Sequence, residues 1–180
     1  MNNSRVNTHS SSRKSSVRTS KIETKNTRVE YGERDSKDSG VSPDIEFASE
    51  GDLLVLSILD EAEGLIGTSY RYGGTSPDRG FDCSGLTSYV FASQAIDLPR
   101  TSTDQSRYGK RKNFDDAVSG DLVFFGTGSR VNHVGIVVER SRSEMVVIHS
   151  TSSGGVRKDE INSSSYWRSR KLWAISVIGE

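Results

Sequence analysis

Apolar positions are sparse over the first quarter of the chain and periodic after it. Apart from Met1, the only apolar residues up to position 41 are Val6, Val17, Ile22, Val29, Tyr31 and Val41, and they follow neither a helical nor a strand period. A segment so poor in apolar side chains cannot offset a backbone entropy cost of roughly 1–2 kcal/mol per residue. Residues 1–49 therefore read as a disordered polar tail or tether. From Leu54 the pattern changes. Leu54, Ile58, Ala62, Leu65 and Ile66 have helical spacing, with Asp52 as the expected N-cap and Gly67 as the stop. Tyr70 to Gly74 leads into a loop that holds Pro77 and Gly80. A second helix is expected from Cys83 to about Gln94, with Leu86, Val90 and Phe91 on one side and Asp82 as its cap. Ser102 to Gly109 reads as a polar helix or loop. Strands are expected at Leu122–Phe125, after a Gly120-Asp121 turn, and at Leu172–Ile178. Val134–Glu139 and Met145–His149 should form a hairpin through a charged connection. Helices first and an antiparallel sheet afterwards predict an α+β fold, with one domain over residues 50–180.

Composition adds little to this picture but excludes several classes. The chain has 180 residues, no formal net charge and a hydrophobic fraction of 32%, low for a chain packed throughout. Zero net charge gives no case for a nucleic acid or an anionic membrane as partner. Residues 1–40 hold nine Lys/Arg against five Asp/Glu, a net +4 that leaves −4 for the remainder. No apolar run is long enough to span a membrane. The first twenty residues lack an apolar core, so they do not read as an intact secretory signal. One cysteine excludes an intramolecular disulfide.

That cysteine is either a small buried hydrophobe or a reactive thiol, and its context favours the second. Gly80-Phe81-Asp82 delivers Cys83 to a helix start, where unpaired N–H groups and the positive dipole end favour a thiolate and could hold an oxyanion. His133 opens one strand of the expected hairpin and His149 closes the other. With the turn centred on residue 141, the two would lie opposite each other, as a base and its orienting partner require. The rival reading of one Cys and two His is a zinc site. It is disfavoured because the three come from separate elements with no short-spaced ligand pair. Gly73-Gly74 lacks the spacing and lysine of a phosphate loop and reads as a tight turn. Trp167 and Trp173 read as core rather than as sugar platforms. The cluster Arg168, Arg170 and Lys171 reads as a solvated face rather than a contact for carboxylates.

Several motifs in order resemble the NlpC family of papain-like cell-wall cysteine peptidases. They are Tyr70-Arg71-Tyr72-Gly73-Gly74, Phe81-Asp82-Cys83-Ser84-Gly85-Leu86, Leu98-Pro99-Arg100-Thr101-Ser102 with Asp104-Gln105, Gly120-Asp121 before Leu122–Phe125, His133-Val134-Gly135-Ile136 and Ile148-His149-Ser150. Ser150 stands where alanine is more usual. The resemblance covers about residues 52–180. It implies a papain-like core with N-terminal helices on a central antiparallel sheet. It carries over Cys83 as nucleophile, His133 as base, His149 as orienter, Tyr70 as an aid to the oxyanion, and Asp82 and Ser84 as substrate-cleft residues. Arg100, Thr101 and Gln105 are motif residues without an assigned chemistry. The implied activity is hydrolysis of peptidoglycan stem peptides through a thioester, at the D-γ-glutamyl–diamino acid bond or a diaminopimelate crosslink. No cofactor or metal is expected. The implied setting is extracytoplasmic, as a periplasmic, secreted or lipid-anchored monomer. Alternatives are an N-acetylmuramoyl-L-alanine amidase or acyltransferase on the same fold, a toxin with the same chemistry, and a non-catalytic wall-binding module. The intact catalytic positions argue against the last.

Overall fold

Ser49 opens the first helix, α1 (Glu50–Gly64), through a reciprocal cap: its Oγ accepts the Asp52 N–H, and Asp52 accepts the Ser49 N–H at 3.0 Å. Asp52 is therefore the third helical residue, not the N-cap; a carboxylate three residues in can serve the cap from inside the helix. The structure is a computed structural model that describes residues 48–179. The tail expected over residues 1–49 lies outside the described residues apart from Ala48 and Ser49. Ile58 and Ala62 are buried as the spacing predicts, whereas Ile66 lies past the helix end and is exposed.

A two-stranded ribbon, β1 (Thr75–Ser76) and β2 (Gly80–Phe81), precedes α2 (Cys83–Ala92), which ends two residues before the expected Gln94. The polar stretch after Pro99 forms only one turn, α3 (Ser102–Gln105). Then come β3 (Lys110–Lys112), a 3-10 turn (Phe114–Asp116), β4 (Leu122–Thr127), β5 (Arg130–Arg140), β6 (Met145–Thr151), β7 (Gly155–Glu160), α4 (Ser165–Arg168) and β8 (Lys171–Ser176). Six of these strands form one antiparallel sheet in the order β3-β8-β4-β5-β6-β7.

Its two edges, β3 and β7, are the strands that the apolar pattern did not predict. Lys110-Arg111-Lys112 has no apolar residue, and Gly155 to Glu160 has only Val156. Polar, charged edges are how sheets resist pairing with other chains, and they carry no apolar alternation to read.

The central strands are buried on both faces. Leu122, Phe124, Val134, Ile136, Ile148 and Ile175 pack with Ile58, Leu86, Val90 and Phe91 of α1 and α2. Val123, Phe125, Val137, Met145, Val147 and Ala174 point the other way, towards Phe114, Ile161 and Trp167. Each fully buried Phe, Ile or Leu contributes about 1.5–3 kcal/mol of hydrophobic stabilisation, so the sheet is fixed in place from both sides. The architecture is α+β, with the helices on a central antiparallel sheet. Among the described residues no helix is long and apolar enough to cross a membrane.

Candidate active site

Cys83 is placed by the contacts of its neighbours. Asp82 caps α2 by accepting the Gly85 N–H at 2.6 Å, and its other oxygen accepts the Gly73 N–H at 3.0 Å. Arg100 grips the same carboxylate with two bonds, Nη1 to Oδ1 at 3.0 Å and Nη2 to Oδ2 at 2.7 Å. These three donors outweigh the burial that would raise the Asp82 pKa and hold it below the ordinary carboxylate value. Gly85 has no room for a side chain, because a Cβ there would meet the Gly74 carbonyl oxygen at 2.0 Å. Gly73-Gly74 is the tight turn that the sequence suggests, packed under the start of α2. Gln105, fully buried, ties α2 to the loop after it: its amide donates to the Ser84 carbonyl, Ser88 Oγ and the Pro99 carbonyl, and accepts from Thr87 Oγ1.

A cleft of about 640 Å³ opens beside Cys83 and is lined also by Tyr70, His133, Asp159, Trp167 and Arg170. Asp82 and Ser84, expected as substrate-cleft residues, do not line it. Their polar atoms are engaged with each other and with Arg100, and Ser84 is buried. Tyr70 is held near the nucleophile by a bridge to Phe81. Burial, with Cys83 and Asp82 nearby, pushes its phenol pKa up, so the hydroxyl remains a donor. Ser150 Oγ, in the position where the family more often has alanine, donates to the Phe81 carbonyl at 2.8 Å and ties β6 to the segment before Cys83.

His133 and His149 do not sit directly opposite each other. Arg140 pairs with Met145, so the turn is centred between Arg142 and Ser143, not at 141, and a bulge between Val137 and Glu139 shifts the register. Ile136 faces Ile148, which places His149 beside Gly135. A Cβ on Gly135 would meet Val147 Cγ1 at 2.3 Å and His149 Cβ at 3.1 Å, so glycine makes the room that His149 occupies. The two imidazoles are diagonal neighbours on one face of the sheet and still bond, His133 Nε2 to His149 Nδ1, at 3.1 Å. His149 Nε2 in turn lies 3.1 Å from Asp159 Oδ2. Asp159 also accepts from Trp167 Nε1 at 3.1 Å and pairs with Arg157 at 2.5 Å.

The protonation states follow. The His149 bond, despite some burial, together with Trp167 and Arg157, lowers the Asp159 pKa to about 2. An ionised Asp159 accepts from His149 Nε2–H; in the neutral imidazole this leaves His149 Nδ1 as the acceptor, to which His133 donates from Nε2. The His133 Nδ1 is then the lone-pair nitrogen available to a thiol. Burial, and next His149, depress the His133 pKa to about 3 against a smaller opposing pull from Asp159, so it is a neutral base. Burial also pushes the Cys83 thiol up. The N–H groups of Val134, Ser84 and Cys83 itself counter this without reversing it, and Asp82 adds to the rise. Desolvation thus opposes the thiolate that a helix start by itself favours.

Asp159 and Trp167 are site residues that the sequence reading missed. Asp159 lies on the unpredicted strand β7, diagonal to His149, since β7 pairs Arg157 with His149 and Asp159 with Val147. The Arg157-x-Asp159 alternation would have been the signal had the strand been recognised. Trp167, read as core, is half-buried. It stacks on His133 with ring centroids 5.0 Å apart and an interplanar angle of 25°. The ring nitrogens that a zinc ion would use on His149 are both engaged, one by His133 and one by Asp159.

Comparison with known proteins places this geometry. The bifunctional muramidase/DL-endopeptidase CwlT of Bacillus subtilis is 37% identical over 115 residues, 62% of this chain and 33% of its own. The probable endopeptidase p60 of Listeria seeligeri is 42% identical over 109 residues, 61% of this chain and 20% of its own. The chain thus spans a third or less of the length of these curated relatives. A crystal structure of a lipoprotein-like NLP/P60 protein of Staphylococcus aureus superposes with a TM-score of 0.61 at 34% identity, covering 72% of this chain and 43% of that one. The sequence model of the NlpC/P60 family matches residues 67–176, more than half of the chain, and the chain belongs to that family.

Proposed function

We propose that this chain is a cysteine endopeptidase that hydrolyses an amide bond in peptidoglycan stem peptides, at the D-γ-glutamyl–diamino acid bond. The observation that carries this reading is the hydrogen-bonded series His133–His149–Asp159 on the same cleft as Cys83. His133 Nδ1 takes the proton of the Cys83 thiol as sulfur attacks the carbonyl carbon. The N–H groups at the start of α2 and the Tyr70 hydroxyl stabilise the oxyanion. The imidazolium then protonates the leaving amine, and a thioester remains. Water, deprotonated by His133, attacks the thioester and releases the acid and the thiol. His149, held by Asp159, keeps His133 in the productive tautomer, and the Asp159 carboxylate beyond it offsets the transient charge on His133. Asp82, with Arg100 and Gln105, positions the nucleophile.

The relatives' names, DL-endopeptidase and endopeptidase, support the reaction class. The setting we infer is outside the cytoplasm, at the wall, where the substrate is. Digestion of purified muropeptides, read by mass spectrometry, tests the proposal. Wild type should release fragments that end in γ-D-glutamate, and Cys83→Ala should release none while keeping its fold. Release at the muramoyl–alanine bond would indicate an amidase instead. Cleavage by the Cys83→Ala protein would remove the mechanism.

A further inference from the structure

Trp173 of β8 packs on the core only in part. Its remainder lines a second concavity, of about 360 Å³, which shares no lining residue with the cleft at Cys83. Three arginines reach this concavity from three different elements, and each is placed by a contact of its own or of its neighbour. Arg111 of β3 lays its guanidinium 3.9 Å over the Trp173 ring. Arg107 follows Ser106 at the end of α3, and the Ser106 carbonyl accepts the Trp173 Nε1–H at 3.3 Å. Arg130 opens β5 beside Val131, whose carbonyl accepts the Thr103 hydroxyl at 3.5 Å.

The charges here do not cancel. No acidic residue lines the concavity. Among the described residues none of the three arginines is in an ion pair, whereas Arg100 and Arg157 are spent on Asp82 and Asp159. The excess is local, because residues 41–180 carry a net charge of −4. Like charges gathered around one ring repel, and an anion between them removes that cost. Stacking on Trp173 has already taken much of the rotamer freedom of Arg111, so its fork is preformed. One guanidinium is enough to satisfy the two oxygens of a carboxylate. Forks arriving from three elements match instead a phosphoryl group, whose oxygens point in several directions.

We propose that this concavity is a binding site for a phosphoryl group, held by Arg107, Arg111 and Arg130, and that the group belongs to an anionic polymer of phosphodiesters. The three arginines are exposed, which suits a chain of repeated phosphates running over the surface more than a small ion enclosed within it. Arg130 and His133 share β5, so a polymer bound here passes about 10 Å from the base, at roughly 3.3 Å per residue. Such a contact keeps the protein on a phosphate-bearing surface while the cleft stays open to its own substrate. The site uses no residue of the cleft and does not rest on the peptidase reading.

Calorimetric titration of the full chain at low ionic strength, with poly(glycerol phosphate), inorganic phosphate and the carboxylate polymer polygalacturonate, tests this. The phosphate polymer should bind more tightly than the other two, and added salt should weaken it. Arg107→Gln, Arg111→Gln and Arg130→Gln should each weaken it by about tenfold, the loss expected for a hydrogen bond to a charged group. Arg142→Gln, which removes an exposed arginine from the β5–β6 turn, should leave the affinity unchanged. Inorganic phosphate bound with no gain from the polymer would keep the phosphoryl site and overturn the polymer as its source. Equal affinity for polygalacturonate would overturn the phosphoryl site, as would an equal loss from Arg142→Gln or no binding at all. The comparison of the two polymers needs no variant, so it decides the question even if a substitution disturbs the fold.

Discussion

Asp159 sets the protonation pattern of the whole cleft. Its ionised carboxylate fixes the proton of His149 on Nε2, and that fixes the proton of His133 on Nε2 and leaves Nδ1 to the thiol. An amide in its place removes the anchoring charge and allows either tautomer. Asp159→Asn should therefore lower kcat by about tenfold or more with little change in KM. Steady-state kinetics on a muropeptide tests this, and an unchanged kcat would remove Asp159 from the relay. Cys83 gives a second test. Its thiol lies above its ordinary value of 9.0 because of burial, and alkylation follows the thiolate fraction. In the free enzyme, iodoacetamide should react slowly at pH 7, with a rate that rises through a midpoint above 9. A midpoint below 8 would mean that a thiolate–imidazolium pair already exists before substrate arrives.

α2 and the β5–β6 hairpin must be brought to one place, and different devices fix each. The helix start is held by Asp82 to its own loop and to Arg100, and by Gln105 to the turn that follows Pro99. Gln105 is buried with all its amide hydrogen bonds made, so removing it forfeits several at once and leaves a small void. Gln105→Ala should cost roughly 2–4 kcal/mol of stability. Urea unfolding would show this as a lower midpoint at unchanged slope. A loss below 1 kcal/mol would mean that the helix start is held without it. On the hairpin, the bulge after Val137 and the absent side chain of Gly135 together seat His149. Strand geometry, not loop chemistry, thus aligns the two histidines, and aligned elements hold a site more rigidly than loops do.

The fold as a whole keeps a neutral histidine and an ionised aspartate together beside a two-faced sheet, and this makes its stability depend on pH. Unfolded, His133 takes up a proton below pH 6.5; folded, it resists protonation until about pH 3. Acidification through that window therefore favours unfolding, with a slope of at most about 1.4 kcal/mol per pH unit from this group. Asp159, depressed from 3.8 to about 2, stabilises the fold above pH 3.8, and that contribution is lost as pH falls from 3.8 to about 2. The melting temperature of wild type should fall steadily from pH 6.5 to pH 4, and His133→Asn should flatten the profile. Parallel profiles for the two proteins would show that His133 is not buried in its neutral form.

The sequence alone determined what short-range physics encodes. The helical period from Leu54 to Leu65, the cap at Asp82 that opens α2 on Cys83, the apolar run Leu122–Phe125 and the hairpin that carries both histidines need only neighbours a few residues apart. The order of the motifs was enough to point to the family. The capping residue of α1 was misplaced because Ser49 and Asp52 serve each other and the pattern shows only the acid. The edge strands escaped because they carry too few apolar residues to show alternation: β3 has none and β7 only Val156. Tertiary structure decided the rest. Which residues meet across strands depends on register, and one bulge made His133 and His149 diagonal partners and brought Asp159 in as a third. Whether Cys83 rests as thiol or thiolate depends on burial by segments far apart in the chain. Desolvation is a property of the assembled fold, and no local pattern of residues records it.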